Sequence, residues 1–430
     1  MKILSITYNP YNNNNNNSKT ILSFFDGINP KDMAVLYFEG FSEVDYDFCD
    51  SYYRITDQDI LKSLLNLSFK THNSHPKIKP PIIGRDKLMK TASEHKSLLR
   101  IIRELLWSLG TWNTKELNLW IDKQKPDIIF SLLGNNLFVH HILLKIAKKH
   151  NLPFVAYYTD DYVLNCTDKS LLGRLHWWLT KRVYKKSMKA ASKCYAIGEK
   201  MSKEYGKIYS RQFSLLGNCI DFEKFSEFNS IHIDLEKPVI ISYIGNLGYS
   251  RWKTICDLGK LCTELNREKG WNIIINVYAL EVEDSIIQKF SCSGVHYKGN
   301  LSPQGVIETM RKSEVLLHVE SFEQSCRDAV HYSVSTKISE YLASRRLIIA
   351  YGPHEVASIE LFIENKFGCV LTDLDTRNNK REKLIMALNN YNNNKFQAEY
   401  NYCRKYYDRK TTRQRLLGDM QSIVNNGYFE

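Results

Sequence analysis

Short apolar runs alternate with amphipathic stretches along nearly the whole chain. Ile3, Leu4 and Ile6 open the series, followed by the polar loop NPYNNNNNNSKT and a helical pattern from Ser18 through Phe25. Residues 33–38 (MAVLYF) make a second strand. Residues 55–85 hold Pro76, Pro80 and Pro81 and predict an irregular surface excursion. Helical periodicity covers 87–108 and 114–123. The strand IIFSLL then follows Pro126-Asp127, with a GNN turn, a helix from Leu137 to His150 and the strand FVAYYT behind it. KCYAI (193–197), a helix at 199–207 and FSLL (213–216) continue the pattern. Strands separated by helices of roughly 10–15 residues predict a parallel sheet in an α/β wound domain.

The pattern lapses over 222–237, a polar, Pro-terminated stretch, and then starts afresh. PVIISYI, WNIIINVYA, VHY, VLLHV, LIIA and GCVL read as strands. Helices are expected at 254–267, 283–291, 303–313, 335–345 and 355–364, and a charged helical tail over 376–430. The resulting division is an N-terminal Rossmann-like domain, 1–225, a C-terminal one, 226–405, and a helical tail, 406–430, that crosses back to the first. Ligands of such sheets bind beyond the carboxyl ends of the strands, so two facing sheets would flank one cleft.

Composition narrows the class. With 43% apolar and 25% charged residues, the 430-residue chain is globular. Its net charge of +12 favours phosphorylated ligands, anionic membranes or polyanions. The basic residues are dispersed and no nucleic-acid module is present, which argues against a nucleic-acid binder. No apolar run reaches the roughly 18–20 residues of a spanning helix, and MKILSITYNP lacks a secretory pattern. Ten scattered cysteines without a C-x-x-C pair point to reduced thiols in the cytoplasm and to no zinc site.

Several groupings carry candidate chemistry. In YIGNLGYSRWKT (243–254) a strand ends at Ile244, and Gly245, Asn246 and Gly248 form a turn in which glycine admits backbone conformations other residues resist. Arg251 and Lys253 follow at a helix mouth, a setting that suits a phosphate as well as a plain strand–helix turn. In SVSTKISEYLASRR (333–346), Ser335 or Thr336 caps a helix. Lys337 sits in its first turn, where the helix dipole disfavours a cation unless an anion is bound. Glu340 offers two oxygens to a pair of sugar hydroxyls. Glu320 and Glu323 stand just past the strand VLLHV, and Asp160 and Asp161 end FVAYYT, where a carboxylate can orient or deprotonate a hydroxyl. The stretch 170–189 combines an apolar stripe with Arg174, Lys181, Arg182, Lys185 and Lys186. It reads equally as a membrane-surface helix or as an ordinary helix packed on the sheet.

Taken together these passages resemble the GT-B glycosyltransferases, specifically the large nucleotide-sugar-dependent group of bacterial polysaccharide assembly. KCYAIGEKMSKEYG with FSLLGNCIDFEKF is similar to the passage that closes the family's N-domain, matching at Asn218, Ile220, Asp221 and Phe225. STKISEYLASRRLIIAYGP is similar to its nucleotide-binding stretch. The resemblance implies that Gly245 to Gly248, Arg251 or Lys253, Ser335, Thr336 and Lys337 face a donor diphosphate. It further implies that Glu340 binds ribose and that Glu320 or Glu323 lies near the donor sugar. It implies a UDP- or GDP-linked sugar as substrate, a glycan or lipid-linked acceptor, retention of configuration, and no cofactor or metal. The acids Glu320 and Glu340 are spaced more widely than in the family, through an insertion at 323–334, and asparagines replace the usual glycines near 9–19. Two alternatives remain: a nucleotide-sugar epimerase of the same fold, and a non-catalytic sugar-nucleotide or polysaccharide-binding subunit.

Overall fold

The computed structural model describes residues 1–12, 16–40, 44–65, 96–166, 168–229, 231–391 and 396–426. The chain forms two compact units: Met1–Ile197 with Met201–Leu216 and Arg413–Glu430, and Gly198–Lys200 with Gly217–Thr412.

In the first unit the strands are β1 (Ile3–Thr7), β2 (Met33–Tyr37), β3 (Ser51–Arg54), β4 (Ile128–Leu132), β5 (Phe154–Tyr158), β6 (Lys193–Ala196) and β7 (Phe213–Leu215). The helices are α1 (Asn16–Phe24), α2 (Asp57–Leu64), α3 (Lys96–Leu109), α4 (Lys115–Gln124), α5 (Leu137–Lys149), α6 (Leu171–Ala190) and α7 (Glu199–Tyr209). The sheet runs β3-β2-β1-β4-β5-β6-β7, every pair parallel. All five residues of β1, β2 and β5 are buried, as befits strands covered on both faces.

Residues 57–64 depart from the irregular stretch expected over 55–85, because α2 precedes the prolines. Thr56 caps α2 by accepting from the Asp59 amide at 3.3 Å, and Asp59 accepts the Thr56 amide at 2.8 Å. Pro76, Pro80 and Pro81, residues 87–95 of the expected helix and Asn13–Asn15 of the asparagine run lie outside the described residues.

In the second unit β8 (Val239–Ile244), β9 (Ile273–Tyr278), β10 (Val295–Tyr297), β11 (Val315–Val319), β12 (Leu347–Tyr351) and β13 (Cys369–Leu371) form a parallel sheet in the order β10-β9-β8-β11-β12-β13. Its helices are α8 (Arg251–Lys269), α9 (Asp284–Ser291), α10 (Pro303–Lys312), α11 (Gln324–Val330), α12 (Lys337–Ala343), α13 (Ala357–Asn365), α14 (Arg377–Asn389) and α15 (Phe396–Tyr406); α16 (Arg409–Asn425) follows. Alternate residues of β11 enter two cores: Val315, Leu317 and Val319 in one, Leu316 in the other. The chain passes into this unit at Gly217 rather than at 225/226, because Ile220, Phe225 and Phe228 belong to its core. It leaves near Thr412 rather than 405. Beyond that point Asp419 pairs with Lys193 at 2.6 Å and Arg415 donates to the Leu215 carbonyl at 3.0 Å, within the first unit.

His140, fully buried on α5, meets Ser187 Oγ at 2.8 Å and the Gly134 carbonyl at 2.9 Å. It ties α5 to α6 and to the loop after β4. Burial pushes its pKa down to about 4. A depressed folded value means the stability it supports is present above the ordinary histidine range and is lost as the pH falls toward 4. Acidification from pH 6.5 to 4 should therefore cost about 3 kcal/mol at this site. In urea unfolding at a series of pH values, His140→Gln should flatten most of that slope; an unchanged slope would assign it to other groups.

Candidate functional site

Both sheets follow the doubly wound order 3-2-1-4-5-6, with a seventh strand added to the first. Sheets of this order bind ligands where the order reverses, outside the carboxyl ends of the two diverging strands. In the second unit that place lies between β8 and β11. The turn 245–250 leaves β8 there, and Glu320 leaves β11.

The turn is built differently from its sequence-based expectation. Gly245 and Gly248 are not its left-handed residues; Tyr249 and Ser250 are, at φ of 56° and 55°. Asn246 shapes the turn instead, its side-chain oxygen accepting the Gly248 amide and its carbonyl accepting the Tyr243 hydroxyl at 2.6 Å. An added Cβ on Gly248 would stand 2.7 Å from that Asn246 oxygen. Helix α8 begins at Arg251, whose Nε donates to Glu320 Oε2 at 3.0 Å and whose Nη2 donates to Oε1 at 3.3 Å. The Glu320 side chain is only 3% exposed and that of Arg251 17%.

Three further contacts fix Glu320. Ser358 at the start of α13 donates to its Oε1 at 3.2 Å, and Thr254 of α8 donates to its carbonyl at 2.9 Å. Its backbone amide donates to the Tyr351 carbonyl at 2.9 Å. Gly352 is required beside it, since a Cβ there would meet the Glu320 Cβ at 2.9 Å. Burial raises the Glu320 pKa and the Arg251 guanidinium opposes that rise. His318, 3.7 Å from the carboxylate, is held neutral by burial and then by Arg251, its pKa pushed down to about 3. Its buried Nε2 has no hydrogen-bond partner.

The other expected phosphate and sugar ligands pair locally. Lys253 bonds Glu323, and that bond together with one from Ser250 holds the Glu323 carboxyl below its usual range. Lys337 donates to Glu340 at 2.6 Å, one turn along α12. Ser335 Oγ accepts the Lys337 amide at 3.3 Å, whereas Thr336, the residue at the cap position, makes no side-chain capping bond. Helix α12 is nevertheless seated at the switch point. The Tyr341 hydroxyl lies 3.3 Å from the Ile244 amide and 3.4 Å from its carbonyl, at the last residue of β8.

In the first unit Asp160 and Asp161 follow β5. Asp161 is a structural group: it accepts the amides of Val163, Leu164 and Asn165 at 2.9–3.1 Å and the Tyr205 hydroxyl at 2.8 Å. Asp160 Oδ2 accepts the Thr159 hydroxyl at 3.1 Å. The unit's own switch point, between β1 and β4, holds a cluster absent from the sequence-based set. Arg103 of α3 donates to Tyr8 Oη at 3.1 Å, Asn136 Oδ1 at 3.2 Å and Asp57 Oδ1 at 2.9 Å. Glu104 caps α5 from a different helix, accepting the Leu137 and Phe138 amides at 2.8 and 2.9 Å. Burial lifts its pKa to about 7 even against those two donors. The one available signal was the adjacent charged pair Arg103-Glu104 in the middle of the leucine-rich segment IIRELLW.

Among the described residues, His354, Glu355 and Asp373 bring their ligand atoms within 4.8 Å of one another. Arg327 supplies the positive charge there, 2.9 Å from Glu355 and 3.3 Å from Asp373. A cavity of about 560 Å³ bounded by Phe362, Phe367, Leu374 and Met386 contains none of the expected site residues.

The Arg251–Glu320 pair makes a direct expectation. Arg251→Met leaves a buried carboxylate without its cation and should destabilise the second unit by about 3–5 kcal/mol at neutral pH. Because burial then raises the Glu320 pKa unopposed, the deficit should shrink as the pH falls toward the ordinary carboxylate range. Urea unfolding near pH 7 and near pH 4.5 checks both; a pH-independent deficit would show that Glu320 is not the uncompensated group.

No protein-family model and no curated protein sequence matches the chain. Solved structures do. The E. coli trehalose-6-phosphate protein bound with UDP-2-fluoro glucose aligns with a TM-score of 0.60 at 10% identity, over 98% of this chain and 99% of the other. The UDP-forming alpha,alpha-trehalose-phosphate synthase from Burkholderia xenovorans, in complex with glucose-6-phosphate, gives 0.57 at 7% identity over 98% and 100%. Anabaena HepE, in complex with UDP-glucose, gives 0.54 at 11% identity over 98% and 100%. With two parallel α/β units matched over nearly the full length of such proteins, this chain has the GT-B fold.

Proposed function

We propose that the chain is a glycosyltransferase that moves a sugar from a nucleoside-diphosphate sugar to a glycan or lipid-linked acceptor, with retention of configuration, in cell-surface polysaccharide assembly. One observation carries this reading: an arginine fixed by a buried glutamate at the switch point of the second sheet. Bonds to Glu320 use one edge of the guanidinium, which leaves its remaining N–H groups for an anion. The fold likeness to proteins solved with UDP-glucose and UDP-2-fluoro glucose supports a nucleotide sugar as the donor.

In the reaction the bond between the anomeric carbon and the diphosphate oxygen breaks. The acceptor hydroxyl supplies the new oxygen bond, its proton is released, and the nucleoside diphosphate departs with the bonding electrons. Negative charge grows on the leaving diphosphate. Arg251, at the mouth of α8, is positioned to stabilise it without reorganising. Lys253 and Lys337 add charge once they exchange Glu323 and Glu340 for the ligand, and Glu340 then turns to the ribose hydroxyls. Asp160 is assigned to the acceptor hydroxyl, since Asp161 is held by three backbone amides and the Tyr205 hydroxyl. Tyr8, Arg103 and Asn136 are assigned to acceptor binding.

A thermal-shift series with UDP, GDP, ADP and dTDP should show one diphosphate raising the melting temperature, by mass action on the folded state. Release of that diphosphate from its sugar should require acceptor. Turnover of donor alone would make the protein an epimerase, and binding without release would make it a non-catalytic subunit. Lys337→Ala should weaken diphosphate binding about tenfold by calorimetry, the scale of one charge-assisted contact. Arg251→Lys keeps the charge but loses the fork held by Glu320, and should lower kcat/KM by about 10²–10³. Wild-type kinetics in that variant would remove Arg251 from the reaction.

A further inference from the structure

Helix α3 is turned inside out. Arg103 and Glu104 face the protein together with Trp107, while Leu98, Leu99, Ile102, Leu105 and Leu109 are exposed. Leu98, Ile102, Leu105 and Leu109 follow one helical stripe, and Ile102 and Leu105 are 50% and 55% exposed. The helix packs against α2 and α6, and both continue the apolar surface. Leu61, Leu64 and Leu65 lie exposed at the end of α2. Leu171, Leu172, Leu175 and Trp178 lie exposed on the first half of α6, Leu171 at 85%. Twelve of the twenty exposed large apolar side chains among the described residues thus belong to three adjoining helices. Scatter would need no explanation, but a contiguous patch marks a partner.

Charge selects the partner. Helix α6 contains no acidic residue, and carries Arg174, Lys181, Arg182, Lys185, Lys186 and Lys189. One face of the helix is buried along its length, by Gly173, His176 and Thr180 and then by Val183, Tyr184, Ser187 and Met188, while Leu171, Leu172, Leu175 and Trp178 of the first half stay exposed on the other. The single acid of α3, Glu104, is turned onto the α5 amides. The Arg182 guanidinium lies 4.5 Å from the Trp178 ring centre and Lys181 Nζ lies 4.4 Å from that of Trp177, which joins the cationic and aromatic parts of the surface. A second copy docking by the same face would set these cations against themselves. A polyanion would leave the leucines in water. An interface with acyl chains below and anionic headgroups around satisfies both parts.

We propose that the outward faces of α2, α3 and α6 form one docking surface for an anionic phospholipid membrane. The first unit lies on that membrane by its leucines, and the α6 cations meet the headgroups. Among the described residues no helix is long and apolar enough to cross.

The full chain is sedimented with vesicles of equal parts phosphatidylglycerol and phosphatidylcholine, and with vesicles of phosphatidylcholine alone, at low and high salt. Sedimentation with the anionic vesicles, weakened by salt, is expected. Ile102→Glu combined with Leu175→Glu should abolish it. Arg182→Ser, Lys185→Ser and Lys186→Ser combined should lower the partition coefficient at least about tenfold at low salt. All five positions, Ile102, Leu175, Arg182, Lys185 and Lys186, are exposed, so unchanged melting temperatures should accompany both variants. Wild-type protein left in the supernatant, or variants that sediment like wild type, would overturn the proposal. So would a dimer in analytical ultracentrifugation that Ile102→Glu dissolves without any vesicle binding, which would assign the face to a second copy.

Discussion

A buried ion pair, Arg251 with Glu320, is the constraint from which the second unit's site takes its form. Neither charge is cheap to bury, and hydrophobic replacements of such pairs often leave proteins at least as stable. Stability alone therefore does not account for it. The pair joins the start of α8 to the end of β11, and Ser358 and Thr254 brace it from α13 and α8. Its geometric effect is to aim a planar cation at the place where the sheet order reverses. Long arginine side chains lose considerable freedom when they are fixed; here that loss is incurred on folding, before any ligand arrives.

The first unit repeats the device with different parts. Arg103 sits at the equivalent reversal, between β1 and β4, and it too is held by several partners: Asp57, Asn136 and Tyr8. The difference lies in the surroundings. Arg251 has a buried carboxylate bonded along one edge, whereas Arg103 is spread over one acid and two neutral oxygens, with the rings of Tyr8 and Phe138 about 5 Å from its carbon. A cation so partnered keeps more of its field for a ligand than one neutralised by a bidentate carboxylate. Each unit thus places a preorganised guanidinium where doubly wound sheets accept ligands.

The strand–helix alternation was legible because it is written in residue period: VIISYI, VLLHV and LIIAY are short, mostly apolar and bounded by turns, and each became a strand. The helix at Asp57–Leu64 was harder to see, because its capping box uses aspartate at the third position and the following prolines dominated the stretch. At the site, residue type was informative and geometry was not. Glycines near 245 suggested a left-handed turn, but Tyr249 and Ser250 take those conformations while Asn246 closes the turn. Position past a strand made Glu320 a ligand-side acid, and the family resemblance put it near the donor sugar. Its partner, Arg251, is 69 residues away in sequence, and no local pattern reveals that the two are bonded.

Helix α3 shows why such a partner can also hide in plain sight. Read by period alone, KSLLRIIRELLWSL turns its leucines inward and its charges outward. Two local demands reverse it. The α5 N-terminus has amides that its own cap residue, Asn136, does not satisfy, and Glu104 supplies both acceptors. Asp57 accepts from both Arg103 and Trp107, one turn apart on the same face. Once those polar bonds set the rotation of the helix, Leu98, Ile102 and Leu105 are left exposed among the described residues. The switch-point cluster and the apolar surface are thus two sides of one helix, and a rotation that altered the first would displace the second.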